Sequence, residues 1–273
     1  MKKCIFCRKK RLVRIVELGK QPLSGIFLDK KNNNLKKYSL DLFKCKTCDL
    51  VQLGESAKLE KMFGDGYEYS TSLSKLMINH IKHKLDFLIK KKIIHKKSKI
   101  LDIGSNDGTF LNLFKKTNYL VGIDPSAEKF KKNDKKNIKT IFNFFSVKNL
   151  KNEKNKFDLI TSFAMFYDVK DPGAFCYDVF KVLNKNGIWL LELSYLPLML
   201  KNLTYDQICH EHIAYYTLST FKKIANKNGL KILDYKFNEI NGGSIEIFCS
   251  RIDSNRKIKE KKIKKLLTEE KKN

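Results

Sequence analysis

The sequence predicts an α/β protein whose parallel sheet is covered by helices and preceded by a small cysteine-containing module. Strand and helix patterns alternate from Lys99 onwards, which is typical of a parallel sheet. Two Cys-x-x-Cys pairs stand in the turn-rich N-terminal region, and an amphipathic helix pattern separates the two regions. We therefore expect a zinc-binding module over residues 1–66, a connecting segment and helix over 67–97, a sheet domain over 98–250 and a basic tail over 251–273.

The composition is that of a folded and strongly basic chain. It has 273 residues, 42% of them hydrophobic, and a formal net charge of +27. Only five of the 56 basic residues are arginine, whereas proteins that read phosphates or bases usually rely on the arginine fork. A drift in amino-acid composition therefore explains the positive charge better than a surface that binds nucleic acid. No uncharged apolar run approaches the ~18 residues of a membrane helix, and the N-terminus lacks a signal-peptide pattern, so we expect a cytoplasmic protein without membrane contact.

The N-terminal module carries the pattern of a metal site. Cys4 and Cys7 form one pair, and Cys45 and Cys48 form the second after a gap of 37 residues. Four thiolates fill a tetrahedral shell, so the pattern predicts a structural Zn²⁺ whose binding helps a small module to fold. Residues 35–53 read as strand, knuckle and strand. Four unrelated buried cysteines are the alternative.

The rest of the chain is predicted as one helix followed by a strand–helix series. The helix covers about 73–94, and Ser72 or Ser74 can cap it. Strands are expected at 100–103, 120–124, 138–142, 157–162, 188–193, 230–235 and 244–249. Helices are expected at about 109–117, 126–132, 171–184 and 217–228, with an insertion at 195–216 and a tail that is a solvated helix or a frayed end.

A glycine-containing loop follows the first strand of the series. Gly104 allows a tight turn, and Gly108 lets the following helix start close to a ligand. Asn106 stands where the dinucleotide-binding fingerprint has its middle glycine. Asp124 follows the next strand, 20 residues after Gly104, where a carboxylate can accept hydrogen bonds from ribose hydroxyls. Because open parallel sheets bind nucleotides at this edge, we expect a nucleotide-type cofactor. The alternative is a strand-to-helix turn in which the glycines serve only the backbone conformation.

The loop and its acidic partner resemble motif I of the class I S-adenosylmethionine (SAM) methyltransferases. The resemblance implies a doubly wound sheet of seven strands, the last one antiparallel, and favours SAM over a nicotinamide cofactor. It places the loop at the methionine part of SAM, Asp124 at the ribose, and Phe144 and Phe145 near the adenine. The cofactor-binding residues it implies are Asp102, Gly104, Ser105, Asn106, Gly108, Asp124, Pro125, Phe144, Phe145, Ala164 and Met165.

The insertion holds a run of acid–base groups. His210, Glu211 and His212 are contiguous and follow the fifth strand, at the sheet edge where a substrate must sit. A neutral histidine can take up a proton at physiological pH. The run differs from the H-E-x-x-H zinc-protease motif because the second histidine directly follows the glutamate. We therefore expect a general base here, and a polar loop with satisfied histidines is the alternative.

From residue 4 to about residue 250, an ordered set of motifs resembles the zinc-containing sugar C-methyltransferases. The set comprises both cysteine pairs, Leu18-Gly19-x-Gln21-Pro22-Leu23, Tyr67-x-Tyr69-Ser70-x-Ser72, the glycine loop, Tyr205-Asp206-x-Ile208-x-His210-Glu211-His212 and Asn241-Gly242-Gly243-Ser244. That family acts on nucleotide-activated keto-deoxysugars: a proton leaves the carbon beside a ketone, and the enolate attacks the SAM methyl group. The resemblance implies SAM and structural Zn²⁺ as cofactors and a nucleotide sugar as substrate.

The same resemblance implies the catalytic roles. His212 would be the general base, with Glu211 beside it and His210 in the same run. Tyr69, or alternatively Tyr67, would place a hydroxyl near the enolate oxygen, where charge forms.

Two departures from the family keep other functions open. Cys209 stands where the family usually has Tyr. The family's further C-terminal domain has no counterpart, which leaves three alternatives: a shorter enzyme, a partner chain that supplies the domain, or a truncated gene. The alternatives are an RNA methyltransferase, an O- or N-methyltransferase of another small molecule, and a non-catalytic partner subunit with the methyltransferase fold. The scarcity of arginine disfavours the RNA alternative.

Overall fold

The computed structural model describes residues 3–24, 35–55, 62–63, 69–133, 137–151, 153 and 156–272. The strands are β1 Leu12–Val16, β2 Lys20–Gln21, β3 Tyr38–Ser39, β4 Leu42–Cys45, β5 Val51–Leu53, β6 Lys99–Ile103, β7 Tyr119–Ile123, β8 Ile138–Ile141, β9 Phe157–Phe163, β10 Leu183–Ser194, β11 Ala214–Tyr215, β12 Leu230–Asn238 and β13 Ser244–Arg251. The α-helices are α1 Lys75–Lys90, α2 Pro172–Val182, α3 Leu196–Asn202, α4 Leu218–Lys227 and α5 Glu260–Glu269. Within these ranges no helix is both long enough and apolar enough to cross a bilayer.

The larger sheet has the predicted seven strands. Their order is β12-β13-β10-β9-β6-β7-β8, and β13 runs antiparallel to both of its neighbours. Successive residues of β6 pack on opposite faces: Ile100 lies in the cluster that includes α1, and Leu101 lies in the cluster that includes α2 and α4. This confirms the doubly wound sheet with helices on both faces. It also brings the carboxyl ends of β6, β7 and β9 to one edge.

The smaller sheet contains the strand–knuckle–strand pattern predicted around the second cysteine pair. Its order is β1-β4-β5-β11, so its last strand comes from the insertion that follows β10. Ala214 pairs with Gln52 and Tyr215 with Val51, and Leu53 N–H donates to the Ile213 carbonyl at 2.8 Å. The end of the insertion is therefore held by main-chain hydrogen bonds to the N-terminal module. The division of the chain into four segments stays a prediction.

Helix α1 begins at a predicted cap and is fixed to the sheet by buried charges. Ser74 is the cap, since its side chain accepts a hydrogen bond from Met77 N–H at 3.3 Å. The buried Lys84 ammonium lies 2.6 Å from Glu192 Oε2 and 2.7 Å from Glu246 Oε1, on β10 and β13. These carboxylates neutralise a charge that would be unfavourable alone in the interior. The position of α1 beside the cofactor loop is thus firmly set.

Two predicted helices are replaced by 3₁₀ structure. The apolar spacing of residues 109–117 looks helical, but only a 3₁₀ turn forms, at Leu111–Leu113. The turn ends at Phe114, which is extended and packs its ring edge-on against Phe110 with centroids 5.0 Å apart. The helix predicted at 126–132 is a 3₁₀ helix over Pro125–Asn133. The helix predicted at 109–117 was therefore wrong apart from this one turn, whereas a helix does form where one was predicted at 126–132, as a 3₁₀ helix.

The C-terminal tail is folded against the sheet domain, so the prediction of a solvated helix or frayed end was wrong. Ile263 and Leu266 of α5 are buried in the core. The Glu270 carboxylate accepts hydrogen bonds from Tyr195 Oη at 2.5 Å and from the first two N–H groups of α4 at 2.6 and 2.9 Å. Those N–H groups have no partner within their own helix, and the helix dipole there favours a negative charge.

Candidate active site

A cleft of about 900 Å³ lies at the carboxyl ends of β6, β7 and β9. Of the cofactor-binding residues expected from the sequence, its lining includes Asp102, Gly104, Ser105, Asn106, Asp124, Pro125, Phe144, Phe145, Ala164 and Met165. Gly108 stands apart from the lining, and its N–H donates to the Ser105 carbonyl at 2.9 Å. Gly108 therefore shapes the loop, while the others present their surfaces to the cleft.

Gly104 lies where the cofactor loop passes close to Met165. Its φ of +75° is in the left-handed region, which glycine enters without steric cost. A Cβ atom at this position would lie 2.9 Å from Met165 Cγ. Glycine is thus required for two reasons, and its lack of a side chain leaves the loop backbone open to a ligand.

Two carboxyl groups stand at the base of the cofactor loop. Asp102 is buried at the end of β6, where burial raises its pKa to about 7 and Thr161 Oγ1 donates to it at 2.6 Å. Asp124 accepts hydrogen bonds from Asn106 N–H at 3.0 Å and from Ser126 N–H at 2.7 Å. Since each carboxylate oxygen can accept more than one hydrogen bond, Asp124 holds the loop and retains capacity for ribose hydroxyls.

The segment that carries Tyr69 is fastened to the cofactor loop by side-chain hydrogen bonds. Asn106 Nδ2 donates to the Tyr69 carbonyl at 3.0 Å. Asp107 Oδ2 accepts from Ser70 Oγ at 2.6 Å and from Ser72 N–H at 2.7 Å. Sequence reasoning missed Asp107, although the Tyr-x-Tyr-Ser-x-Ser motif that it holds was the available signal.

His212 faces the cleft with one ring nitrogen already engaged. Its Nδ1 lies 2.8 Å from the Gln207 carbonyl, and because a carbonyl only accepts, Nδ1 carries the proton and Nε2 is left unprotonated in the neutral ring. Burial lowers the pKa of His212, which favours that neutral ring at physiological pH. The Tyr167 ring packs against it with centroids 4.1 Å apart. His212 therefore has the tautomer and charge of a general base.

The other expected catalytic residues separate into two groups. Glu211 and Tyr69 line the same cleft as His212. His210 lies outside the lining, is 1% exposed, and its Nε2 donates to the Tyr38 carbonyl at 3.2 Å. The structure thus gives His210 a packing role in place of the expected catalytic one. The alternative hydroxyl, Tyr67, lies outside the described residues.

The cleft lining is acidic in the part of the chain that the structure describes. Besides Asp102, Asp124 and Glu211 it includes Asp168 and Asp206, and none of its described residues is lysine or arginine. Sequence reasoning missed Asp168, although a polar residue just past the end of β9 lies at the ligand edge of the sheet. Cys209 also lines the cleft, where burial raises its pKa to about 12, so it stays a thiol.

The four expected metal ligands converge in the N-terminal module. The Sγ atoms of Cys4, Cys7, Cys45 and Cys48 all lie within 4.8 Å of one another. Two of the Sγ–Sγ distances, Cys4 to Cys48 and Cys7 to Cys45, are 3.5 Å. Sulfurs at ~2.3 Å from a tetrahedral zinc ion are ~3.8 Å apart, so the cluster fits Zn²⁺. Four thiolates leave no open coordination position, which makes the metal structural.

Comparisons with known proteins agree with both sites. A family model described as "Methyltransferase domain" matches residues 74–235, and one described as "Putative zinc binding domain" matches residues 4–63. C-methyltransferase NovU from Streptomyces niveus is 25% identical over 253 residues, which are 90% of this chain and 60% of that protein. A crystal structure described as a "putative sarcosine dimethylglycine methyltransferase" from Galdieria sulphuraria has a TM-score of 0.51 at 14% identity, over 65% of this chain and 87% of that chain.

The first family model covers more than half of the chain, so the chain belongs to the methyltransferase domain family. It is a SAM-dependent methyltransferase with an N-terminal zinc-binding module. Its cofactors are SAM and a structural Zn²⁺. The chain spans 60% of the length of the curated relative, so what that relative does as a whole protein does not transfer directly.

Proposed function

We propose that the protein methylates a carbon atom next to a ketone, and that its substrate is a nucleotide-activated keto-deoxysugar. The observation that carries this proposal is His212 in the cleft, whose Nδ1 is held by the Gln207 carbonyl so that Nε2 is the ring nitrogen left to accept a proton. Carbon acids are weak and need a positioned base, whereas oxygen and nitrogen acceptors already hold a lone pair. Similarity to a C-methyltransferase supports the same reaction. The ordered motifs support the keto-sugar.

The residues of the cleft have distinct roles in this reaction. SAM, when bound, supplies a methyl group on a sulfonium centre. His212 Nε2 takes the proton from the carbon beside the ketone, and the Gln207 carbonyl holds the opposite ring nitrogen. The negative charge of Glu211 favours the protonated form of His212 and so helps it to hold that proton. The Tyr69 hydroxyl would donate to the oxygen on which charge develops.

The size and charge of the cleft constrain how the substrate lies. At about 900 Å³ the cleft lies near the upper end of the ~300–1,000 Å³ that ligand pockets span, which suits a site that takes a cofactor and a sugar. The acidic lining of its described part repels phosphates. The sugar would therefore enter the cleft while the diphosphate stays at its mouth. The same lining gives no support to an RNA backbone in the cleft. A partner chain that completes the cleft stays a prediction.

His212→Ala tests the proposed reaction. We expect methyl transfer to a thymidine diphosphate 4-keto-6-deoxyhexose to fall by ~10²–10⁴-fold, because the proton has no acceptor. SAM affinity, measured by titration calorimetry, should persist, since the cofactor residues lie on the sheet edge. Solvent deuterium exchange at the carbon beside the ketone reports the base alone and should vanish in the variant.

His95→Ala is the matched control, because His95 is exposed and its imidazole has a local contact, with Nδ1 at 2.8 Å from the Lys96 carbonyl. It should behave as the wild type. Unchanged turnover in the His212 variant would exclude His212 as the base. A wild-type protein that methylates oxygen or nitrogen acceptors but no keto sugar would overturn the proposed substrate class.

A further inference from the structure

Asp168 places a further carboxyl group in the cleft that His212 lines. It ends the 3₁₀ turn Phe166–Asp168, which follows β9, and it lines the cleft. Its neighbour Tyr167 packs against the ring of His212. None of the roles assigned above uses Asp168, although it stands at the ligand edge of the sheet and lines the same cleft as His212 and Glu211.

Two buried carboxyl oxygens at this place have no hydrogen-bond partner among the described residues. One is Asp168 Oδ1 and the other is Glu211 Oε1. The other oxygen of Glu211, Oε2, is satisfied by Ser24 Oγ at 2.6 Å. A buried polar atom without a partner is unfavourable, so two such atoms in one cleft indicate that a ligand completes them.

The groups that face Asp168 are acids. Glu211 acts on it through its charge, and Asp168 acts in the same way on Cys209, Tyr215 and Tyr216. Burial, reinforced by the Glu211 charge, raises the pKa of Asp168 well above its ordinary range. The raised pKa favours the protonated form of Asp168, which is a neutral carboxylic acid.

We propose that Asp168 is a further catalytic residue, whose carboxyl group donates a hydrogen bond to the carbonyl oxygen of the bound substrate. This inference rests on the proposed C-methylation. A carboxylic acid has the O–H donor that a carboxylate lacks. Negative charge develops on the carbonyl oxygen as His212 removes the neighbouring proton, and a donor already in place there stabilises the transition state. Tyr69 and Asp168 would be two donors to one oxygen.

The proton and electron changes balance with these residues alone. The C–H bond breaks, its proton goes to His212 Nε2, and its electron pair forms the carbon–carbon double bond of the enolate. The enolate oxygen carries the charge and accepts the hydrogen bond of Asp168. The enolate carbon then bonds to the methyl carbon as the methyl–sulfur bond breaks, with that electron pair left on sulfur. The ketone is restored, Asp168 retains its proton, and His212 holds the one released.

Two substitutions at Asp168 separate its donor from its charge. Asp168→Asn keeps an N–H donor of similar shape, whereas Asp168→Ala removes the donor. With a thymidine diphosphate 4-keto-6-deoxyhexose and SAM, we expect Asn to retain most of the rate and Ala to lose ~10²-fold or more. The wild-type rate should fall as the pH rises through the pKa of Asp168, and this fall should be absent in the Asn variant. Asp178→Asn is the control, because burial also raises the pKa of Asp178 but it lies outside the cleft lining.

Thermal unfolding tests the protonation without any substrate. The raised pKa means that native Asp168 holds a proton that the unfolded chain releases, so the wild type loses stability as the pH rises from the ordinary aspartate range to the raised pKa. The Asn variant has no such proton. Its unfolding temperature should exceed that of the wild type by a margin that grows with pH over this window.

The outcomes distinguish this inference from the proposed function. A wild-type protein inactive on every keto sugar overturns the proposed function and with it the role of Asp168. An active wild type with an Asn variant as slow as the Ala variant, or with an unchanged pH profile, overturns the inference alone. The inference is also overturned if the difference in unfolding temperature between the Asn variant and the wild type does not grow with pH.

Discussion

The two halves of the cleft are built in different ways. The cofactor half comes from successive strand ends of one sheet, and its residues lie within one stretch, 102–165. The substrate half gathers Ser24, Tyr69, Asp168 and the segment 206–212, which lie far apart in the chain. That segment leads directly into β11, which belongs to the smaller sheet. The expected cofactor residues therefore depend on one sheet, whereas the proposed chemistry depends on how the module, the insertion and that sheet fit together.

Loss of zinc should have the largest effect and should separate the two halves. Cys45→Ser removes a ligand from a site whose binding energy is ~10–16 kcal/mol, so the module should unfold. β11 then loses its partner β5, and the His212 segment loses its support. We expect methyl transfer to be lost while SAM affinity by calorimetry changes far less. Zinc content, measured by mass spectrometry, checks the premise.

Chelated wild-type protein is the matched control for this variant. Added Zn²⁺ should restore methyl transfer to the chelated wild type but not to the Cys45 variant. A zinc-free protein that transfers methyl groups at the wild-type rate would contradict this difference between the two halves, since the substrate half would then not need the module.

The cofactor half should respond to pH through Asp102, with an intermediate effect. Its pKa is about 7 because it is buried, with the nearby Asp124 charge adding to the shift. SAM carries a positive charge and should bind the ionised carboxylate better. SAM affinity should thus increase with pH by up to ~10-fold per unit below the pKa and level off above it. Titration calorimetry across this range measures the effect.

Asp102→Asn should make SAM affinity independent of pH over the same range, because an amide has no proton to release. Asp178→Asn, outside the cleft, should keep the wild-type dependence. A wild-type SAM affinity that does not change with pH would show that the ionisation of Asp102 does not affect cofactor binding.

The tail should give the smallest effect, because α5 lies in neither half of the cleft. Glu270→Ala removes hydrogen bonds to Tyr195 and to the start of α4, so the free energy of unfolding in urea should fall by ~1–2 kcal/mol. SAM affinity should not change. Glu269→Ala, an exposed neighbour, should have no effect, and equal losses in both variants would show that the Glu270 contacts do not stabilise α4.

The cofactor half and the metal cluster were largely readable from the sequence because their signals are local. Gly104, Asn106 and Asp124 lie at fixed distances from strand ends, and parallel strands bring such ends together. Each cysteine pair fits within one knuckle. The helix predicted at 109–117 was wrong beyond one 3₁₀ turn, since the chain is already extended at Phe114 and enters β7 at Tyr119.

The residues of the substrate half could be predicted only in part from the sequence. His212, Glu211 and His210 are adjacent in sequence, yet the structure turns the first two to the cleft and buries the third against Tyr38. Asp168 has no neighbouring motif that marks it, and its raised pKa comes from burial and from Glu211, a residue remote in the chain.

The sequence by itself determined the seven-stranded order of strands and helices, the cofactor edge and the four metal ligands, because periodicity, turn chemistry and short spacings act between near neighbours. Only the tertiary structure decided that β11 joins the module, that the tail packs on the core and that Asp168 lines the same cleft as Glu211 and His212. Burial and charge interactions depend on distances in space between residues far apart in the chain, and spacing along the chain does not encode them.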